Sequence, residues 1–107
     1  MELTNEFQSI RNWAEKRGIY EKGDPKTQYL KLQEECGELA QALLKDKPRE
    51  IIDALGDIVV VLVNLTELIS NDNAMLTGIT LESCVNMAYE EIRNRKGKME
   101  NGTFIKE

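Results

Sequence analysis

A chain of 107 residues with 14 basic and 19 acidic side chains, no histidine and a net charge of −5 has room for one domain, here residues 1–107. The acidic balance argues against a protein that coats nucleic acid, and the longest apolar run, Ile58 to Val63, falls far short of the about 20 residues that span a membrane. Aromatics are few while Lys, Glu and Leu are common, which suits helices, and a chain of this size buries roughly two-thirds of its unfolded surface, enough for a modest core.

Met1 is followed at once by mixed polar sequence, so no signal peptide is expected. Leu3, Phe7, Ile10 and Ala14 step by four, three and four, which predicts a first helix over about residues 3–17 with Gly18 as its stop. Trp13 flanks that stripe, where an aromatic either edges the core or stacks on a base. Residues 18–24 read as a loop. Asp24 as N-cap and Pro25 at the first helical position open a second helix, about 25–45, with Tyr29, Leu32, Cys36, Leu39, Ala40 and Leu43 as its apolar set. Pro48 opens a third, about 48–70, which is apolar nearly all round from Ile51 to Ile69. Such a helix must be buried on every side. Three neighbours from so short a chain would struggle to cover it, so another subunit is expected to do part of the work. Residues 71–79 read as a loop. Thr80 caps a fourth helix, about 81–96, with Leu81, Cys84, Val85, Ala88 and Ile92 as its stripe and Gly97 as its stop. Arg93, Arg95, Lys96 and Lys98 gather at its end, either to complement the helix C-terminus or to bind phosphate. Asn101-Gly102 marks a tight turn, after which Phe104 and Ile105 are expected to fold back on the bundle. Cys36 and Cys84 lack metal-ligand spacing and fall on apolar stripes, which reads as reduced core cysteine in a cytoplasmic protein.

The chemistry concentrates in the two middle helices. Residues three or four apart share a helix face, which groups Glu34, Glu35 and Glu38 on one helix and Asp53 with Asp57 on the next. No lysine follows the glutamate trio within four residues to offset it, and Gly37 in a helix interior costs about 1 kcal/mol relative to Ala, so it is expected to admit something close. With the turn near Asp46-Lys47-Pro48, the level of Glu38 is reached again near residue 56, which Asp53 and Asp57 bracket. Glu50 falls level with Leu44, too near the turn to face Glu35. The expected site is therefore Glu35, Glu38 and Asp57, completed by Asp53 and Glu34, with Glu50 outside. Carboxylates opposed across a helical hairpin are costly without a cation, and facing helices of a bundle commonly hold divalent metal this way. Asp57, leading directly into the apolar run, gives the sharpest single-residue reason to expect a metal; pairing with a lysine or capping a backbone group is the alternative.

Glu34-Glu35-x-x-Glu38, followed by an acidic motif ending Gly56-Asp57 before an apolar run, resembles the MazG-like nucleoside triphosphate pyrophosphohydrolases of the all-α NTP pyrophosphatase group. The flanks Arg17-Gly18-Ile19-Tyr20, Gly23 to Tyr29 and Arg95 to Met99 are similar to the short single-domain proteins of that type in phages and Gram-positive bacteria. The resemblance implies an all-α four-helix bundle in an intertwined oligomer: a homotetramer built as a dimer of dimers, or a homodimer. It implies hydrolysis of a (d)NTP between the α- and β-phosphates with Mg²⁺, or Mn²⁺ in its place. Metal ligands would fall on Glu35, Glu38 and Asp57, with Glu34 polarising water or helping to bind metal. The family pattern Glu-x-x-Asp would put Glu at position 54, where this chain has Ala54; Asp53 is the nearest substitute. Charge and placement nominate Lys31, Arg95, Lys96 and Lys98 for the phosphates, Asn86 for sugar or base, and Trp13 for stacking. The rival readings are a phosphoribosyl-ATP pyrophosphohydrolase-like enzyme and a non-catalytic helical module that binds nucleotide or metal.

Overall fold

The computed structural model describes residues 3–107, with side chains from residue 5 onward. Met1, and the side chain of Leu3 expected on the first stripe, lie outside the described residues. Among the described residues, five helices occur in order: α1 (Leu3–Lys16), α2 (Ile19–Lys22), α3 (Pro25–Leu44), α4 (Pro48–Asp72) and α5 (Leu81–Ile92). A single 3₁₀ turn, Ala74–Leu76, lies between α4 and α5, and a two-stranded hairpin, β1 (Gly97–Glu100) and β2 (Thr103–Lys106), closes the described chain. The fold is all-α with four long helices, as the periodicities predict.

Local chemistry sets the ends of the central pair. The Asp24 carboxylate accepts from the Thr27 N–H at 2.8 Å, and Pro25 supplies a preset φ at the first helical position. At the other end, Lys47 N–H reaches back to the Ala42 carbonyl (3.0 Å) and Asp46 N–H to Leu43 (3.2 Å). Asp46 stands at φ 52° to allow it, a left-handed C-terminal cap. This tight reversal folds α4 back along α3, and the α3–α4 pair is the main contact of the fold.

The core lies along the C-terminal half of α4. Val61, Val63 and Leu68 are buried there with Asn64, Thr66 and Ser70, and Ala14 of α1, Ala42 of α3 and Ala54 in the first half of α4 are buried as well. Half of its apolar members are alanines, so the chain alone builds a thin core. The first half of α4 is different: Ile52, Leu55 and Val59 are exposed. Within one chain the expectation of a third helix buried on every side is therefore not met: even its second half alternates buried residues with the half-buried Leu62, Leu65 and Ile69. Cys36 and Cys84 are exposed, contrary to the core reading. The α3 stripe likewise leaves Tyr29 and Leu43 open to solvent.

Three further differences are instructive. The expected loop 18–24 contains the single-turn α2. It brings the Tyr20 hydroxyl to donate to the buried Asn64 Oδ1 at 2.8 Å. Burial, and secondarily the charge of Glu67, push the Tyr20 phenol up to about 12. Nearby, Arg11 pairs with Glu67 (3.1 Å) and Glu82, tying α1 to α4 and to the start of α5. Burial is the largest influence and would raise the Glu82 carboxyl, but the Arg11 hydrogen bond, a backbone hydrogen bond and the Arg11 charge together outweigh it and hold Glu82 below its ordinary value.

Second, α5 ends at Ile92 instead of 96. The residues that follow turn through Arg95 N–H to the Ile92 carbonyl (2.9 Å), and Gly97 then enters a strand. No α5 residue is buried: of its expected stripe Leu81 is half-buried, while Cys84, Val85, Ala88 and Ile92 meet solvent. Third, Asn101 (φ 50°) and Gly102 (φ 80°) form the tight turn, but it is a hairpin turn. Lys98 pairs with Ile105 and Met99 with Phe104, and the tail does not fold back on the bundle. Phe104 packs over Gly97, where a Cβ would meet its ring at 2.6 Å.

Candidate metal and phosphate site

Two helix faces form a cleft of about 240 Å³. From α3 and its C-terminal cap come Glu38, Gln41, Ala42 and Lys45; from α4 come Glu50, Asp53, Ala54 and Asp57. Each set is spaced i, i+3, i+4, i+7, one stripe of an α-helix. The buried alanines 42 and 54 belong to this lining, where they let the helices approach, and the four exposed carboxylates stand around them. Glu38, Asp53 and Asp57 are thus brought together as the sequence predicts. Ala54 is a lining residue that carries no oxygen.

Glu50 corrects the sequence reading. Its level along the hairpin suggested exclusion, yet it lines the cleft with the other acids, 3.9 Å from Lys47. Comparing heights across the hairpin ignored the face. Glu50, Asp53 and Asp57 are spaced i, i+3, i+7, and that spacing was the signal that would have included it.

The argument from burial also moves. Asp57 is exposed, so it carries no desolvation penalty within one chain. The buried carboxylate is Glu35, only 6% exposed. Its Oε1 lies 3.4 Å from Lys31 Nζ, while its Oε2 is buried and has no hydrogen-bond partner. Glu35 sits beside Glu38 and pushes the Glu38 carboxyl up, first through the contact of the two side chains and then through its charge. Lys31 is held protonated by its hydrogen bond to Glu35 and by the charge of Glu34, whose Oε1 lies 3.7 Å away. Glu34 itself is exposed on the flank of α3. A Cβ at Gly37 would meet nothing within 4 Å, so in one chain this glycine admits no close neighbour.

An oxygen-only donor set with an unpaired buried oxygen and a repelled neighbour suits a hard divalent cation. Among the described residues, no three acidic or sulfur side chains are closed around a point as they stand. The cleft carboxylates are exposed, so they can rotate inward.

A second groove of about 390 Å³ adjoins the first and shares Asp57. Trp13 and Ile10 of α1 line it together with Val60, and the Arg17 guanidinium stacks over the Trp13 ring at 4.6 Å. Asn86, Arg95, Lys96 and Lys98 are exposed and are not among the residues lining either groove. Lys45 is the cleft's own cation, which the sequence reading missed.

A helical hairpin presenting carboxylates from both arms to one cleft defines an all-α carboxylate-site protein. The family model of the MazG nucleotide pyrophosphohydrolase domain matches residues 24–99, and the chain belongs to that family. It is also 41% identical over 66 residues to an uncharacterized 18.2 kDa protein in the rep-hol intergenic region of Haemophilus phage HP1 (strain HP1c1). That match covers 62% of this chain and 40% of the phage protein, so the chain spans well under half of its relative. No solved structure matches the chain.

Proposed function

We propose that the chain is a Mg²⁺-dependent nucleotide pyrophosphohydrolase, with Mn²⁺ as a substitute, that cleaves a (d)NTP to (d)NMP and pyrophosphate. The observation that carries the reading is the cleft lined from two helices by Glu38, Glu50, Asp53 and Asp57, with the orphaned Glu35 Oε2 one helical turn before Glu38. The residues that would hold metal are Glu35, Glu38, Asp53 and Asp57, with Glu50 added by its place in the cleft. A bound Mg²⁺ would neutralise charge on the reacting phosphates and lower the pKa of the attacking water. Glu34, exposed next to Glu35, accepts the proton of that water. Lys45 meets phosphate charge at the cleft, and Arg95, Lys96 and Lys98 supply further cations. The groove around Trp13 takes the nucleoside, because it opens from the same Asp57 and offers an aromatic face. Asn86 is a weaker candidate for sugar or base.

Residues 1–107 act as one domain, and the reading places its activity in the cytoplasm on a small-molecule nucleotide, without nucleic-acid or membrane partners. Among the described residues no helix is long and apolar enough to cross a membrane. It assembles with copies of itself, as a dimer of dimers or a homodimer. Two features support this: the bare α5, and an apolar groove of about 440 Å³ lined by Tyr29, Leu30, Leu65 and Ile69. A non-catalytic binding module remains the second reading, favoured by one observation: the apolar Ala54 in the cleft where the family pattern has a glutamate.

Pyrophosphate release from the eight common NTPs and dNTPs with Mg²⁺ tests the proposal, comparing wild type with Glu38→Gln and Asp57→Asn. Metal-dependent release that both substitutions abolish supports the enzyme. Folded protein that releases nothing with either metal favours the binding module. Preference for phosphoribosyl-ATP in a parallel assay would move the substrate class.

A further inference from the structure

We propose that Lys31 is a positioning residue for the metal: it pins one oxygen of Glu35 so that the other is presented to a divalent cation. The proposal rests on the metal-dependent reading above. Lys31 Nζ lies 3.4 Å from Glu35 Oε1 and 3.7 Å from Glu34 Oε1, one helical turn along α3. Glu35 is nearly enclosed, and its Oε2 has no partner among the protein's own groups. A buried carboxylate oxygen left unpaired is costly, and a fold tolerates the cost where a ligand completes the shell. Fixing Oε1 removes the rotation by which Glu35 would otherwise turn its free oxygen towards a donor or solvent. Carboxylates that ligate metals are commonly held by such outer partners, whose loss typically costs about 10–100-fold in metal affinity.

Two other roles are open to a lysine here. As a phosphate ligand it would have to leave the carboxylates that now engage it. As a competitor of the cation it would weaken metal binding. The ammonium is half-exposed, so water screens its repulsion of an ion, an effect worth roughly a few-fold. Loss of orientation is the larger effect and acts in the opposite direction. Removing Lys31 should therefore weaken metal binding.

The test uses the metal alone, without nucleotide. Mn²⁺ affinity is measured by electron paramagnetic resonance titration for wild type, Lys31→Met and Lys31→Arg. The thermal midpoint in chelator is measured in parallel. Methionine preserves helix propensity at this half-exposed position, so the fold should survive. The expected result is a 10–100-fold loss of Mn²⁺ affinity in Lys31→Met and recovery of most of it in Lys31→Arg. Lys31→Met binding Mn²⁺ as well as wild type, or more tightly, overturns the proposal. If that variant also loses affinity for pyrophosphate, Lys31 is a phosphate ligand instead. Wild type that binds no Mn²⁺ overturns the metal-dependent reading itself, which is a separate failure from the loss of Lys31's role.

Discussion

Substituting Val85 and Ile92 of α5 by Asp should dissociate the protein into folded monomers. The two residues are spaced i, i+7 on one helix face, and both are more than half exposed within a single chain. If the monomer were the native unit, each change would fall within about 0.5 kcal/mol, as surface substitutions do. The surface of the chain argues otherwise. It exposes 8333 Å², whereas a compact monomer of 12.2 kDa exposes about 6,000 Å². The radius of gyration is 16.1 Å against about 13 Å for a compact chain of this length. The excess of roughly 2,300 Å² per chain, counted on two copies, is the area of an obligate interface. Each side chain is already about half buried within the chain, so completing its burial contributes about half of the usual 1.5–3 kcal/mol; two positions on two copies come to about 3–6 kcal/mol, or ~10²–10⁴-fold in Kd. Light scattering behind size exclusion, from 1 to 100 µM (roughly the range in which such a Kd shift becomes visible), reads the outcome directly. Wild type should run at a multiple of 12.2 kDa, that multiple deciding between dimer and tetramer, and the double variant at 12.2 kDa with its helical circular dichroism intact. Wild type at monomer mass, or a variant indistinguishable from it in mass and melting, would refute the reasoning.

Other consequences concern single side chains. Tyr20→Phe strands the buried Asn64 Oδ1 and should cost about 1–2 kcal/mol, visible as a melting point lower by several degrees. The same substitution tests a pH dependence. The native phenol lies near 12, above its ordinary value of 10.0, so its contribution is complete below pH 10 and is lost as pH rises towards 12. Wild type should therefore show an alkaline loss of stability over that window that the Phe variant lacks, read from melting curves between pH 8 and 12. Gly97→Ala should disrupt the hairpin, because a Cβ there collides with the Ile105 carbonyl and the Phe104 ring. Loss of strand amide protection without loss of helix would register it, whereas unchanged protection would show that the hairpin tolerates the methyl.

Much of the site was legible before the fold, because helix spacing alone groups side chains by face. Glu34, Glu35 and Glu38, and Asp53 with Asp57, needed only the period of 3.6, and Asp24-Pro25 and Pro48 marked where the helices begin. The family pattern could be read for the same reason. What the sequence could not give was the depth of each carboxylate. It placed the costly charge at Asp57 beside the valine run, while packing of α3 on α4 buries Glu35 and leaves Asp57 open. Whether Glu50 joined the cleft depended on how two stripes meet across the turn, which the left-handed cap at Asp46 decides. The pairing of Tyr20 with Asn64, and of Arg11 with Glu82 71 residues away, likewise has no local signature. Local propensity and periodicity are properties of neighbouring residues and are written in the chain. Burial, and the pairing of distant polar groups, exist only once helices have docked, so only the tertiary structure decides them.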